Sequence, residues 1–94
     1  MRLISNKPLR EFAELHLGAH EPLQAWRHLV ERNVFHSFSE LRKVFATVDK
    51  VGDKYVFNIG GNKYRLIATI AYQPQIVWVK HVLTHVEYDK GAWK

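Results

Sequence analysis

Apolar and polar residues alternate most regularly in the second half of the chain, which predicts three consecutive β-strands. These runs are rich in β-branched and aromatic residues, as strands are. They cover residues 55–59, 63–72 and 76–84. The joins between them are short, Gly60-Gly61-Asn62 and Gln73-Pro74-Gln75, and the first join offers residue types that accept a positive φ. Sequential strands with such short joins are expected to be antiparallel neighbours in one sheet.

The alternation within the second strand also assigns its two faces. The face expected to pack against helices consists of Tyr64, Leu66, Ala68 and Ile70. Lys63 and Arg65 fall on the other face, which we expect to be open, because a cation in mid-sheet needs water or an anion. In the third strand both sides are apolar, so alternation does not decide the orientation. We place Lys80 beside Arg65 and turn His81 toward the core or an edge.

Helical spacing before residue 55 predicts two helices that form a hairpin. The first helix is capped by Ser5 or Asn6, tolerates Pro8 in its first turn and ends at Gly18. The second helix opens at Pro22. Their inward positions are Leu9, Phe12, Ala13, His16 and Leu17 in the first helix, and Leu23, Ala25, Trp26, Leu29 and Val30 in the second.

A short third helix is predicted from Ser37, because Ser37 and Glu40 have the spacing of a capping box. Residues 47–54 are predicted to form a loop, and Leu3 and Ile4 a first strand that joins the sheet. The fold class is therefore α+β, with two to three N-terminal helices packed on one face of a small antiparallel β-sheet. The chain is expected to be one domain, residues 1–94.

The charge balance points to a polyanionic partner. The chain has a formal net charge of +5 and a pI near 9.7, which favours nucleic acid first, then an acidic protein, then an anionic membrane. A solvated basic face without function is the plain alternative. Cysteine is absent, so disulfides, thiolate metal sites and a cysteine nucleophile are excluded. With no apolar run of membrane-spanning length, we expect a soluble, cytoplasmic protein without a membrane partner.

Candidate chemistry is concentrated just beyond the third strand, in residues 84–90. His85 can trade a proton near neutral pH, Tyr88 can stack on a base or donate from its hydroxyl, and Lys90 can neutralise a phosphate. Together with Arg65 and Lys80 these residues suit a phosphodiester. The substrate is expected to be RNA, because without a metal the nucleophile must be the 2′-hydroxyl. No cofactor is expected.

Metal binding is the less favoured alternative. His81 and His85 are spaced like zinc ligands on a helix, but on a strand they stand about 13 Å apart. No third ligand is evident from the sequence.

The run YVFNIGGNKYRLIA, followed by the last strand and THVEYDK, resembles the HigB branch of the RelE/ParE-type toxins of bacterial toxin-antitoxin systems. The resemblance extends to RLISNKPLREF near the N-terminus. It implies the RelE/ParE-like toxin fold and an endoribonuclease that cuts messenger RNA, commonly on the translating ribosome. It also implies a HigA-type helix-turn-helix antitoxin that blocks the toxin, and a toxin-antitoxin complex that binds the operator DNA of the shared operon.

The resemblance carries roles to individual residues. Arg65 matches the strand arginine that contacts the scissile phosphate, His85 a basic or imidazole group at the end of the last strand, and Tyr88 an aromatic that stacks or assists. The candidate catalytic residues are Arg65, His85, Tyr88 and Lys90, with no metal. The candidate RNA-binding residues are Asn62, Lys63, Trp78 and Lys80.

Three alternatives stay open from the sequence. A ParE-like toxin would bind a protein target such as DNA gyrase without chemistry, since one fold supports both activities. A plain basic nucleic-acid-binding module would show steep salt dependence and no cut products. At the level of one residue, Arg65 would be structural if it paired with Asp89 or Glu87 on an exposed face.

Overall fold

A computed structural model describes residues 1–4 and 6–94 of the chain. The fold is a mixed five-stranded sheet with helices on both faces. The strands are β1 (Arg2–Ile4), β2 (Asp49–Val51), β3 (Lys54–Ile59), β4 (Tyr64–Ala71) and β5 (Ile76–Thr84). The helices are α1 (Lys7–Leu15), α2 (His20–Arg32), α3 (Phe38–Val44) and α4 (His85–Asp89), with a 3-10 helix at Leu17–Ala19. The predicted α+β class is confirmed.

The sheet has the strand order β1-β5-β4-β3-β2. Strands β2 to β5 form an antiparallel meander, as the short joins predict for the last three of them. The predicted first strand is confirmed as β1, which pairs with β5 in the parallel direction and makes the sheet mixed. Within the described residues, no helix is both long and apolar enough to cross a membrane.

The N-terminal helices differ from the prediction at their ends. Pro8 lies in the first turn of α1 as expected, but Asn6 makes no side-chain capping bond, and Ser5 lies outside the described residues. Gly18 does not end the first helix: α1 stops at Leu15, and Gly18 lies in the 3-10 helix that leads into α2. Helix α2 begins at His20, ahead of Pro22. The break lies instead at His16, where the backbone is extended between α1 and the 3-10 helix.

The main core lies between α1, α2, α3 and the inner face of the sheet. Its buried members include Leu9 and Phe12 of α1, Leu23, Trp26 and Val30 of α2, Leu41 of α3, and Leu66 and Ala68 of β4. Leu17 is 88% exposed and Leu29 is 42% exposed, contrary to prediction, and Ala25 is also exposed. Leu17 leaves the apolar stripe because the 3-10 helix rotates it away from the α1 face, and Leu29 lies at the margin of the α2 stripe.

The outer face of the sheet, predicted to be open, is covered at one end. Val56, Ile67 and Trp93 are buried there, with Val51, Leu83 and Tyr88 packed around them. We call this group the second core. It exists because the chain turns back over β4 after β5, through α4 and Trp93. A cation on this face, such as Arg65, is therefore not fully exposed to solvent.

A register shift in β5 explains why alternation failed to orient this strand. Ile67 pairs with His81, whereas its neighbour Ala68 pairs with Val79, so Lys80 is an extra residue in β5. Before the bulge Val79 faces the main core, and after it Val82 packs on the same core. His81 is consequently on the outer side, where it is exposed, and not in the core.

Two further local predictions need correction. Residues 47–54 are not simply a loop, because β2 pairs with β3 across a tight turn in which Gly52 has a φ of 63°. The Ser37 capping box is only half formed: the Ser37 hydroxyl accepts from the Glu40 amide, but the Glu40 carboxylate accepts from the His36 amide. The predicted helix itself is confirmed as α3.

Candidate active site

Arg65 is held by the turn that precedes it. Its guanidinium donates to the Asn62 side-chain oxygen at 2.8 Å, the Asn62 carbonyl at 3.2 Å and the Tyr64 carbonyl at 3.1 Å. The residue is only 8% exposed although it lies one position from the strand end. The hairpin turn, predicted from Gly60-Gly61-Asn62, therefore also serves as the bracket that fixes the charged group. The fork geometry of arginine matches such a set of acceptors.

The partners of Arg65 are neutral. Within residues 1–4 and 6–94, Asp89 pairs with His85, the Glu87 carboxylate accepts from the Thr84 amide, and no carboxylate contacts Arg65. The structural alternative, in which Arg65 pairs with Asp89 or Glu87, is therefore wrong. A largely buried cation without a counter-ion is costly unless an anion arrives. The position is suited to receiving a phosphate.

Tyr88 covers the guanidinium on the outer face. The Arg65 Cζ lies 5.4 Å from the centroid of the Tyr88 ring, within cation–π range. Trp93 stacks on the same ring at 5.1 Å and 13°, and its indole N–H donates to the Tyr88 carbonyl at 2.9 Å. The Tyr88 ring is thus packed between two neighbours. This packing favours a role for Tyr88 in holding Arg65 and its own hydroxyl group in place, rather than a role as a free surface on which a base stacks.

Helix α4 is a structural element that the sequence analysis missed. The Thr84 hydroxyl accepts from the Glu87 amide at 3.2 Å, and the Glu87 carboxylate accepts from the Thr84 amide at 2.9 Å, which completes a capping box. The hydrogen bond from the Thr84 backbone lowers the pKa of Glu87. This cap starts the helix at His85, directly where the last strand ends.

His85 lies next to Tyr88 on the surface of α4, since residues three apart on a helix are neighbours. Its Nδ1 is 2.9 Å from Asp89 Oδ2, and its side chain is 46% exposed. Tyr88 in turn contacts Arg65. The guanidinium therefore lies against the helix that bears the imidazole. We call Asn62, Arg65, His85 and Tyr88 the candidate site.

The remaining candidate residues are distributed around this site. Lys63 is exposed in the turn beside Asn62, and Asn62 itself is occupied by Arg65. Lys90 lies in a neighbouring groove of about 300 Å³ with His81, Leu83 and Glu87. Lys90 directly follows α4, the helix that bears His85 and Tyr88.

Lys80 and Trp78 do not join the candidate site. Lys80 is the extra residue of the bulge and faces a depression shared with Phe12 and His16, so its predicted place beside Arg65 is wrong. Trp78 pairs with Thr69, which is about 13 Å along β4 from Arg65. Both positions follow from the register of β5, which the sequence pattern could not fix.

Metal ligands are not assembled in this region. In the described part of the chain, no three His, Asp or Glu side chains come together as a ligand group. His81 is in β5 and His85 in α4, where the imidazole contacts Asp89 instead.

Trp93 is the residue at this site that sequence reasoning missed. The signal available in the sequence was a glycine, Gly91, two residues before the aromatic. In the structure Gly91 has a φ of 73°, which glycine adopts readily, and the chain turns back toward the sheet there.

A comparison with protein families decides the classification. The family model described as HigB_toxin, the RelE-like toxic component of a toxin-antitoxin system, matches residues 19–91. The chain belongs to the HigB toxin family. The match includes Asn62, Arg65, His85 and Tyr88, so the whole candidate site of this HigB-family toxin lies inside the matched segment. Membership implies a cognate antitoxin as a partner.

Curated relatives agree with this assignment. The chain is 36% identical over 92 residues to the "mRNA interferase toxin HigB" of Escherichia coli K12, covering 95% of the chain and 88% of the relative. The "mRNA interferase HigB" of Shigella flexneri matches with the same identity and coverage. The protein of the same name from Escherichia coli O6:H1 is 33% identical over 93 residues, covering 96% of the chain and 90% of the relative.

Proposed function

We propose that this HigB-family toxin is a metal-independent messenger RNA endoribonuclease and that Arg65, His85 and Tyr88 form its catalytic centre. The observation that carries the proposal is the largely buried Arg65 guanidinium, which has neutral partners and lies beside the helix that bears His85. A ribose-phosphate backbone supplies the missing negative charge. The names of the curated relatives, which are mRNA interferases, support the substrate class.

The chemistry follows from the groups at hand. His85 removes the proton of the 2′-hydroxyl, and the oxygen attacks the adjacent phosphorus. The bond from phosphorus to the 5′ oxygen of the next nucleotide breaks, and that oxygen takes a proton from solvent. Arg65 stabilises the charge that builds on the phosphoryl oxygens, a contribution that often dominates catalysis. The products are a 2′,3′-cyclic phosphate and a 5′-hydroxyl.

Lys63 and Lys90 are proposed to bind the RNA backbone on either side of the cut. Both are exposed cations next to the candidate site, Lys63 in the β3–β4 turn and Lys90 beyond α4. Asn62 is proposed to act through Arg65, because its side-chain oxygen is used by the guanidinium. Trp78 and Lys80 are proposed to contact a more distant part of the RNA, along β5.

The surroundings of the reaction are also a proposal. The toxin is proposed to cut messenger RNA while it is translated at the ribosome in the cytoplasm. A helix-turn-helix antitoxin is proposed to block it, and the complex to bind operator DNA. The net charge of +5 is compatible with polyanionic surfaces of this kind. Comparison of cleavage of free and translated messenger tests the role of the ribosome, and a gel-shift assay on the complex tests operator binding.

The deciding experiment uses the purified toxin on translated messenger RNA, with and without EDTA, followed by mapping of the RNA ends. We expect EDTA-resistant cleavage by the wild-type chain at ribosomes assembled beforehand, with 5′-hydroxyl ends. We expect rates at least about 100-fold lower for His85→Ala, given the usual contribution of a general base. Arg65→Lys is measured together with Arg65→Ala, because the lysine variant keeps a positive charge at this packed position. His28→Ala, an exposed histidine on α2, is the control.

Cleavage that depends on magnesium, or 5′-phosphate ends, would reject the mechanism. If His85→Ala and Arg65→Ala were both folded and still toxic in growing cells, the target would be a protein such as DNA gyrase, as in the ParE-like alternative. Circular dichroism of each variant separates loss of activity from loss of fold.

A further inference from the structure

Among residues 1–4 and 6–94, Asp89 forms the one close polar contact to the His85 side chain. The His85 Nδ1 and Asp89 Oδ2 atoms are 2.9 Å apart, four residues apart on α4. A carboxylate oxygen only accepts, so in the neutral imidazole Nδ1 carries the proton and Nε2 keeps its lone pair. The imidazole thus presents a basic nitrogen away from Asp89.

The short helix α4 is built so that this pair can form. Five residues are too few for helix propensity to hold them, and the fixed ends do so instead. At one end the Thr84–Glu87 capping box sets the first turn, and at the other the Trp93 indole N–H binds the Tyr88 carbonyl. The Glu87 carboxylate is engaged in the cap, where it accepts from the Thr84 amide. The Asp89 carboxylate instead contacts the imidazole.

We infer that Asp89 is a positioning residue that fixes the tautomer and orientation of His85, so that Nε2 faces the 2′-hydroxyl of the RNA. The inference rests on the proposed function. When the 2′-hydroxyl proton moves to Nε2, the ring becomes an imidazolium, and the carboxylate at Nδ1 compensates the new charge. The same logic orients the histidine in serine hydrolases. Asp89 itself neither gains nor loses a proton in this step.

The solvent exposure of the His85–Asp89 pair indicates that the pair matters in the RNA-bound state more than in the free protein. Asp89 is 60% and His85 46% exposed, so in the free protein water screens the pair and it contributes little to stability. Bound RNA removes this water, and the attraction between carboxylate and imidazolium then strengthens. The effect of Asp89 is therefore expected on the reaction and not on folding. Among the described residues, the other charged or titratable groups on α4 or near it include Arg65, Lys80, His81, Glu87, Lys90, Glu11 of α1 and His16, which follows α1.

The kinetic test compares Asp89→Asn and Asp89→Glu with the wild-type toxin on translated messenger RNA. We expect Asp89→Asn to lower the maximal cleavage rate about 10-fold or more, with the half-saturating concentration changed less than about twofold. Asp89→Glu should recover part of the rate, since a longer carboxylate still reaches across one helical turn. Asp53→Asn, an exposed aspartate in the β2–β3 turn, is the control.

A second measurement is independent of cleavage. Nitrogen-15 NMR of the folded chain should show the Nδ1–H tautomer for neutral His85 in the wild type, and a larger Nε2–H population in Asp89→Asn. An Nε2–H wild-type tautomer would overturn the inference, as would an Asp89→Asn enzyme with the wild-type rate. If the wild type cut no RNA, the proposed function would fail, whereas the NMR result would still decide between the tautomers.

Discussion

At the scale of single residues, the position of the Arg65 charge depends on the turn that precedes the strand. The shortest of its hydrogen bonds, at 2.8 Å, goes to the side chain of Asn62, an exposed residue. Asn62 was selected from the sequence as an RNA-binding residue, but the contact makes it a bracket for the guanidinium. Its effect on cleavage is therefore expected to pass through Arg65.

Asn62→Ala tests this role. The substitution removes one charge-assisted hydrogen bond, worth about 1.5 kcal/mol, so we expect cleavage to fall about 10-fold. Asn33→Ala is the control: the Asn62 oxygen accepts its hydrogen bond, whereas the Asn33 amide nitrogen donates one of similar length, 2.7 Å, to the Leu29 carbonyl at the C-terminal end of α2. We expect similar urea midpoints for the two variants and a loss of cleavage only for Asn62→Ala. Equal cleavage by both would show that the bracket is dispensable.

The sequence was sufficient to place Arg65 on the outer face but not to show its burial. Alternation with Leu66 sets the face. Burial depends on Tyr88, which covers the guanidinium, and on Trp93, which stacks on Tyr88 and lies 28 positions after Arg65 in the chain. A contact of that kind is set by tertiary packing, and the local pattern around Arg65 carries no trace of it. The expectation of an open face failed for this reason.

At the scale of elements, α4 and α3 offer a natural pair. Each helix is preceded by a residue whose hydroxyl accepts a hydrogen bond from the backbone amide three residues later. This residue is Thr84 before α4 and Ser37 before α3. The α4 box is complete, whereas in α3 the glutamate turns to the His36 amide. Only α4 bears candidate catalytic residues. The same chemical change at the two caps therefore separates a local effect on stability from an effect on the site.

We expect Thr84→Ala and Ser37→Ala each to lower the free energy of unfolding by about 1 kcal/mol. Thr84→Ala should in addition speed amide exchange in α4 and reduce cleavage about 10-fold, because the frayed helix no longer holds His85 and Tyr88. Ser37→Ala should cut RNA at the wild-type rate. Urea denaturation, hydrogen exchange and end mapping give the three readouts. Full activity in Thr84→Ala would mean that Trp93 alone anchors the helix.

The elements that the sequence missed share a physical cause. Strand β2 and helix α4 are three and five residues long, too short for a period to emerge from the pattern. The Thr84–Glu87 spacing of the capping box was present in the sequence, but polar residues around it resemble a loop. The sequence pattern does not reveal the bulge at Lys80 either, since both faces of β5 are apolar there. The longer strands β3, β4 and β5 were predicted within about a residue.

At the scale of the whole molecule, the net charge of +5 acts on RNA through space. Its range is limited, because the Debye length is about 8 Å at physiological salt. Position therefore matters more than the total. Lys63 lies in the turn that holds Arg65, whereas Arg2 lies on the far edge strand. Arg2 pairs with Ile76, which pairs with Ala71, about 20 Å along β4 from Arg65.

Lys63→Glu and Arg2→Glu separate local from global charge, since each lowers the net charge by the same two units. A phosphate about 6 Å from residue 63 loses about 1.4 kcal/mol for this reversal in water, which is about 10-fold in kcat/KM. At about 20 Å the same change is almost fully screened, so Arg2→Glu should stay within about twofold of wild type. The difference should shrink when cleavage is measured in about 0.5 M salt, because counter-ions then screen the near charge as well. Equal losses in the two variants at low salt would instead mean that the whole surface, and not the turn beside Arg65, attracts the RNA.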